Sequence, residues 1–131
     1  MTETTQTTQT RRGDINHIEF VSNDVNATTT FMNTLFGYEF QDMGNEAGPY
    51  HTFGKDGRGG AVRPVMENEP GPGTTAYVGV DNLDEAITKA EENGATLMVP
   101  KQPVPTMGWF AWIQAPGGVV LALWQDDANA K

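Results

Sequence analysis

The sequence predicts an α+β fold: two tandem βαβββ modules forming a curved, mixed eight-stranded sheet with helices on the convex side and a cleft on the concave side. Three observations predict it. An alternating strand leading into a capped helix occurs twice, and Asp24 to Gly37 spans the same thirteen residues as Asp81 to Gly94. Each helix is followed by three strand-like segments, which makes the repeat one of whole modules. Between the copies lies Glu67-Asn68-Glu69-Pro70-Gly71-Pro72-Gly73, whose prolines and glycines suit a linker. One module alone cannot bury both its sheet and its helix; two together can.

The first module occupies residues 14–66. Ile15–Val21 alternates, with Ile18 and Phe20 on one face and His17 and Glu19 on the other, so it reads as a strand with one polar face. Asp24 can cap a helix whose apolar positions are Ala27, Phe31, Met32, Leu35 and Phe36, and Gly37 can end it. Tyr38–Met43, Tyr50–Phe53 and Ala61–Met66 follow as short strands. Glycine-rich turns separate them, including a hairpin turn through Asp56-Gly57. Residues 67–73 are the linker.

The second module occupies residues 74–125. Thr75–Val80 alternates, Asn82 and Glu85 form a capping box, and Leu83, Ala86, Ile87 and Ala90 make a helical stripe closed by Gly94. Ala95–Val99 is the next strand. Gly108–Ile113 and Val119–Trp124 flank Ala115-Pro116-Gly117-Gly118, which makes them a hairpin central to the sheet. Residues 1–13, rich in Thr and Gln, and residues 126–131 read as tails, the first of them disordered.

Composition narrows the function classes. Seventeen acidic against eight basic residues give a formal charge of −9, which repels nucleic-acid backbones and anionic lipid, so neither partner is expected. With no cysteine there is no disulfide, thiolate site or cysteine nucleophile. No apolar run reaches the roughly 20 residues of a membrane span, and no signal h-region follows Arg11-Arg12, so the expected compartment is the cytoplasm. Without export, the sequon Asn26-Ala27-Thr28 carries no meaning. Gly54–Gly60 lacks the order of a phosphate loop, no Ser/His/Asp order suggests a hydrolase, and Glu91-Glu92 and Asp126-Asp127 read as solvated surface.

The chain resembles the vicinal oxygen chelate superfamily, which contains glyoxalase I, bleomycin-resistance proteins and extradiol dioxygenases. His17 stands seven residues before Asp24, as in the family's first-strand pattern, and Ala115-Pro116-Gly117-Gly118-Val119 is similar to its closing Asp-Pro-x-Gly-Asn. Gly108-Trp109-Phe110-Ala111 and Ala122-Leu123-Trp124-Gln125 look most like the group of predicted enzymes related to lactoylglutathione lyase. The resemblance covers about residues 14–125. It implies a divalent-metal site with one ligand each from the first, fourth, fifth and eighth strands. Carried over, those positions hold His17, Arg63, Thr74 or Thr75, and Ala122, so one ligand of four remains. His51 lies on a different strand. No cofactor is therefore expected, a divalent metal at His17 being the alternative.

Strand parity puts Thr75, Tyr77, Ala122 and Trp124 on the cleft side, with Ala76, Val78, Leu121 and Leu123 facing the helices. Tyr77 and Trp124 either line an apolar pocket with polar handles or simply pack. Trp109, Phe110 and Trp112 straddle both faces, so at least one should meet the cleft. Arg63 is either a surface residue or a cleft cation for a carboxylate or enolate. His17 is either a hydrogen-bonded buried histidine or a ligand contact, and in the second case a general base tuned by Glu19.

Two functions follow. The first is metal-independent binding of a small apolar or aromatic molecule, in the manner of bleomycin-resistance proteins, with Arg63, Thr75, Tyr77, Trp109, Trp112, Ala122 and Trp124 as contacts. The alternative is a lyase or isomerase using His17 and Glu19. A cleft packed shut by its own side chains would instead mark a structural protein. Superfamily members commonly dimerise, so the resemblance also implies a homodimer.

Overall fold

Both expected modules form, and each builds the same topology from the same order of elements. The computed structural model describes residues 12–131 except 45, 47, 56, 57 and 68. Over those residues the fold is α+β, with eight strands in mixed parallel and antiparallel pairing and two helices. The disordered tail expected over 1–13 falls, for residues 1–11, outside the described residues, as does the expected turn at Asp56-Gly57. Among the described residues no helix is long and apolar enough to cross a membrane.

The first module comprises β1 (Ile15–Ser22), α1 (Val25–Phe36), β2 (Gln41–Asp42), β3 (His51–Lys55) and β4 (Arg58–Pro64), its strands ordered β2-β3-β4-β1. β1 runs parallel to β4, and the other pairs are antiparallel. Asp24 caps α1 by accepting from the Ala27 N–H at 3.0 Å, and Gly37 ends it in the left-handed region at φ 74°. The second module comprises β5 (Gly73–Gly79), α2 (Leu83–Glu92), β6 (Thr96–Val104), β7 (Gly108–Gln114) and β8 (Val120–Asp126), ordered β5-β8-β7-β6. Here β5 runs parallel to β8, matching β1 and β4, and the remaining pairs are antiparallel. By contacts the chain divides into His17–Thr75 and a second unit of Ala76–Lys131 with the described residues before His17.

Each helix covers one face of its own strands. In the second module Leu83, Ala111, Ile113 and Leu123 form a buried cluster joined by Ala86, Ile87 and Ala90, the expected stripe. Gln125, the last residue of the family-like closing motif, accepts the Leu83 N–H at 2.7 Å, so it ties β8 to the first turn of α2. In the first module α1 is rotated from expectation. Its buried residues are Val25, Thr29 and Met32, facing Val62, Phe20, Phe40 and Phe53. Phe31 and Leu35 are 61% and 60% exposed. One residue along a helix is a turn of about 100°, so Met32 meeting β4 swings Phe31 away from it.

Three strands differ from expectation. Tyr38–Met43 contributes ladder pairing only at Gln41 and Asp42, because Tyr38 and Phe40 attach that stretch through side chains, with rings 4.8 and 5.4 Å from Phe53. β4 begins earlier, at Arg58, and ends at Pro64. β6 continues past Pro100 and Pro103 to Val104. It can do so because it lies at the end of its strand order, where a missing N–H costs no ladder bond, and its register shifts between Leu97 and Gln102. Residues 126–131 fold back: the Asp127 N–H donates to the Met107 carbonyl and the Thr106 N–H to the Ala130 carbonyl, both at 2.9 Å.

Candidate functional site

The helix-free face of the first module carries a connected polar chain. Parallel pairing sets Val21 beside Arg63, and Glu19 lies two residues earlier on β1, so period-2 alternation puts Glu19 and Arg63 on one face. Arg63 Nε donates to Glu19 Oε1 at 2.8 Å, and the two residues are 4% and 3% exposed. Tyr50 donates its hydroxyl proton to Glu19 Oε2 at 2.5 Å and lies 2.8 Å from His17 Nε2. A phenol has one proton. With that proton on Glu19, the Tyr50 oxygen can only accept from His17, which fixes the Nε2–H tautomer. Any lone pair the neutral imidazole offers to a proton is then on Nδ1.

The other end of Arg63 meets the linker. Nη1 and Nη2 donate to Glu69 Oε1 and Oε2 at 2.7 and 2.8 Å, a bidentate fork, and Nη1 also donates to the Pro64 carbonyl at 3.1 Å. Glu69 Oε1 accepts in addition from the Met66 N–H at 2.8 Å. Burial works against the Arg63 charge, but hydrogen bonds to Glu69 and Glu19 outweigh it and hold the pKa above its ordinary value. Burial also pushes the Glu69 carboxyl up, yet Arg63 and the Met66 N–H leave it below the usual carboxylate range. His17 is shifted down, chiefly by burial, against an upward pull from Glu19. His17 is therefore neutral near pH 7.

Thr75 is buried at the end of this unit. His51 pairs with Val62, on the helix side, and lies 3.5 Å from Asp42; it takes no part in the chain around His17.

The helix-free face of the second module is aromatic. Tyr77, Trp112 and Ala122 form a buried cluster with Val99, Phe110 and Trp124 against it. Register brings Ala122 opposite both Tyr77 and Trp112, and the indole N–H of Trp112 donates to the Tyr77 hydroxyl at 3.4 Å. Trp124 donates to Asp126 at 2.7 Å. Gly108 makes room for Trp124: a Cβ there would come within 2.6 Å of the indole ring.

Of the residues expected to serve together, the structure joins His17, Glu19 and Arg63 in one chain and Tyr77, Trp112, Ala122 and Trp124 in another. Trp109 is elsewhere: it packs with the Leu83 cluster on the helix side, donates to Asp127 at 2.9 Å and lies under Lys101 Nζ at 4.7 Å. Phe110 takes the place expected for it, since alternate residues of β7 face opposite ways.

Sequence reasoning passed over Tyr50 and Glu69. Tyr50 directly precedes β3, and only the β3–β4 register, which sets its neighbour His51 opposite Val62 on the helix side, assigns Tyr50 the other face. Glu69 had no local signal beyond its place in a polar turn.

A family model described as the Glyoxalase/Bleomycin resistance protein/Dioxygenase superfamily matches residues 14–123, and the chain belongs to this superfamily. Among curated proteins it is similar to one named "Putative glyoxylase CFP32" in Mycobacterium bovis, 26% identical over 125 residues that cover 91% of this chain and 48% of that protein. The chain thus spans about half the length of the curated relatives it matches. Among solved structures it is similar to protein BH1468 of Bacillus halodurans, with a TM-score of 0.71, 15% identity and coverage of 92% and 99% of the two chains. It is also similar to a variant of Streptomyces coelicolor methylmalonyl-CoA epimerase in complex with 2-nitronate-propionyl-CoA. That match has a TM-score of 0.64, 18% identity and coverage of 92% and 99%.

Members of the superfamily often hold a divalent metal. The residues at this chain's corresponding positions do not fit one: Arg63 is a cation bound by two carboxylates, Ala122 has no donor atom, and His17 Nε2 is committed to Tyr50. Among the described residues no group of three or more His, Cys, Asp or Glu is arranged to hold a metal ion.

Proposed function

We propose that this protein binds a small apolar or aromatic molecule without a resident metal. The observation that carries the reading is the face around Ala122. Where the resemblance calls for a metal-binding carboxylate there is a methyl group, enclosed by Tyr77, Phe110, Trp112 and Trp124. Such a cluster has few donors for coordination, and the half-buried rings at its edge, Phe110 and Trp124, are the ones a flat ligand would stack on.

Tryptophan fluorescence titration with a panel of flat aromatic compounds tests it. Binding should be saturable and should weaken at least tenfold in Trp112→Leu. Failure of the whole panel to bind would leave these aromatics as packing and remove the reading. For the metal, melting of chelator-treated protein with nickel, zinc, manganese or iron(II) should show no stabilisation that depends on His17. A genuine site at a hundredfold excess over Kd would add about 2.7 kcal/mol. The homodimer implied by the resemblance belongs to the same reading, and sedimentation would decide it.

A second reading rests on the His17–Tyr50–Glu19 chain: proton transfer at a carbon next to a carbonyl, with neutral His17 as base and Tyr50 and Glu19 fixing its tautomer. The fold likeness to an epimerase and the resemblance to lactoylglutathione-lyase-related enzymes support it. Methylmalonyl-CoA and lactoylglutathione in D2O are the substrates to try, following deuterium uptake at the carbon next to the carbonyl. Uptake should vanish in His17→Gln; uptake that persists in that variant, or none with either compound, would argue against it.

A further inference from the structure

The linker was expected only to connect modules, yet its Glu69 is seated on the most buried cation described in the chain. The seat is built from two sides. Glu19, held by Tyr50, fixes the Nε edge of Arg63 from within the strand face, while the Pro64 carbonyl holds Nη1. The remaining edge presents Nη1 and Nη2 in parallel, the geometry that recognises a planar carboxylate. Glu69 fills that edge with both oxygens, and its side chain is the more exposed partner, 14% against 5% for Arg63. It is held there by a short return of the chain, the Glu69 N–H donating to the Met66 carbonyl at 3.0 Å, with Pro70 and Gly71 directly after.

We propose that the outer edge of Arg63 is a carboxylate seat. Glu69 occupies it in the free protein as a tethered stand-in, and a ligand bearing a carboxylate binds by exchanging with Glu69. This deepens the proton-transfer reading by naming the substrate class: a carboxylate-bearing carbonyl compound. Exchange, not addition, is required by charge. Two carboxylates already face one guanidinium, and a third in the same low-dielectric surroundings would be repelled. Exchange replaces one bidentate pair by another, so the free ligand competes against a tethered group at millimolar-scale effective concentration. Glu69 thereby weakens the binding of every carboxylate, and its removal should tighten it.

Chemical rescue tests the seat directly. Glu69→Ala keeps Arg63 paired with Glu19, and its melting temperature should fall. Acetate should then raise it, saturably, by several degrees more than chloride at equal ionic strength or acetamide at equal concentration, with wild type showing less than a third of that response. Glu69→Gln, which retains one oxygen for the Met66 N–H, serves if the alanine variant fails to fold, and should show the same ranking.

Calorimetric titration with propionate should give at least tenfold tighter binding to the variant than to wild type. No acetate-specific rescue, or equal propionate affinity in both proteins, would overturn the proposal. Rescue without any His17-dependent deuterium uptake would retain the seat and discard the proton-transfer reading, so the two failures are distinct.

Discussion

Tyr50 decides what His17 can do. Its hydroxyl stands between the imidazole Nε2 and Glu19, so the carboxylate reaches that nitrogen through a fixed proton. Tyr50→Phe leaves Glu19 Oε2 without this donor and His17 Nε2 without this acceptor. The variant should lose about 1–3 kcal/mol of stability, the usual cost of orphaning buried polar groups, as read from urea unfolding.

The pH dependence follows from the same residues. Burial holds His17 below its ordinary 6.5, so the unfolded chain takes up that proton first, and stability should decline as pH falls from about 6.5 through the folded value. Glu69 is held below 4.5 by Arg63, so a second decline should begin near 4.5 and run downward. His17→Gln should abolish the first decline and spare the second; urea midpoints measured from pH 8 to pH 3.5 would show whether it does. The alternation of β5 and β8 made Tyr77, Ala122 and Trp124 legible as one face. The partners of Arg63 were not legible, since they depend on a register and a loop return that no local pattern encodes.

At the scale of the element, the two helices show where periodicity suffices. α2 carries one narrow apolar stripe, and that stripe is what it buries. α1 carries more apolar residues than its contact with β4 can use, so the pattern named the helix and its caps but not its face. Phe31→Ser and Leu35→Ser should therefore each change stability by no more than about 0.5 kcal/mol, whereas Asp24→Ala, which removes the cap, should cost about 1 kcal/mol. Thermal melts of the three variants would rank them, and a large loss at Phe31 would mean that its face is covered in solution. The same excess of choices explains β6. The expected strand Ala95–Val99 stops short of Pro100, but an end strand accepts proline and continues.

For the whole molecule, a charge of −9 with few bases spread among the acids implies net self-repulsion. Raising sodium chloride from about 10 to about 200 mM shortens the Debye length to under ~10 Å, and the melting temperature should rise. The Arg63 ion pairs are buried and little screened, so they should contribute little to this rise; calorimetry at the two salt levels measures it. The duplicated topology was readable because it rests on spacing and capping, which are local. The way a family-like chain with one metal-type ligand furnishes its polar positions was not, because that depends on what each strand meets.

Gly108, Trp109, Trp112 and Trp124 also have an optical consequence. All three tryptophans of the chain lie in the second module, each with its indole N–H bonded to an oxygen: Asp127, Tyr77 and Asp126. Emission excited at the red edge of absorption therefore comes from one half of the sequence, and the half containing His17 and Arg63 is dark. That signal reports directly only on the surroundings of these three rings, so local events at Arg63 are best followed by circular dichroism, calorimetry or magnetic resonance.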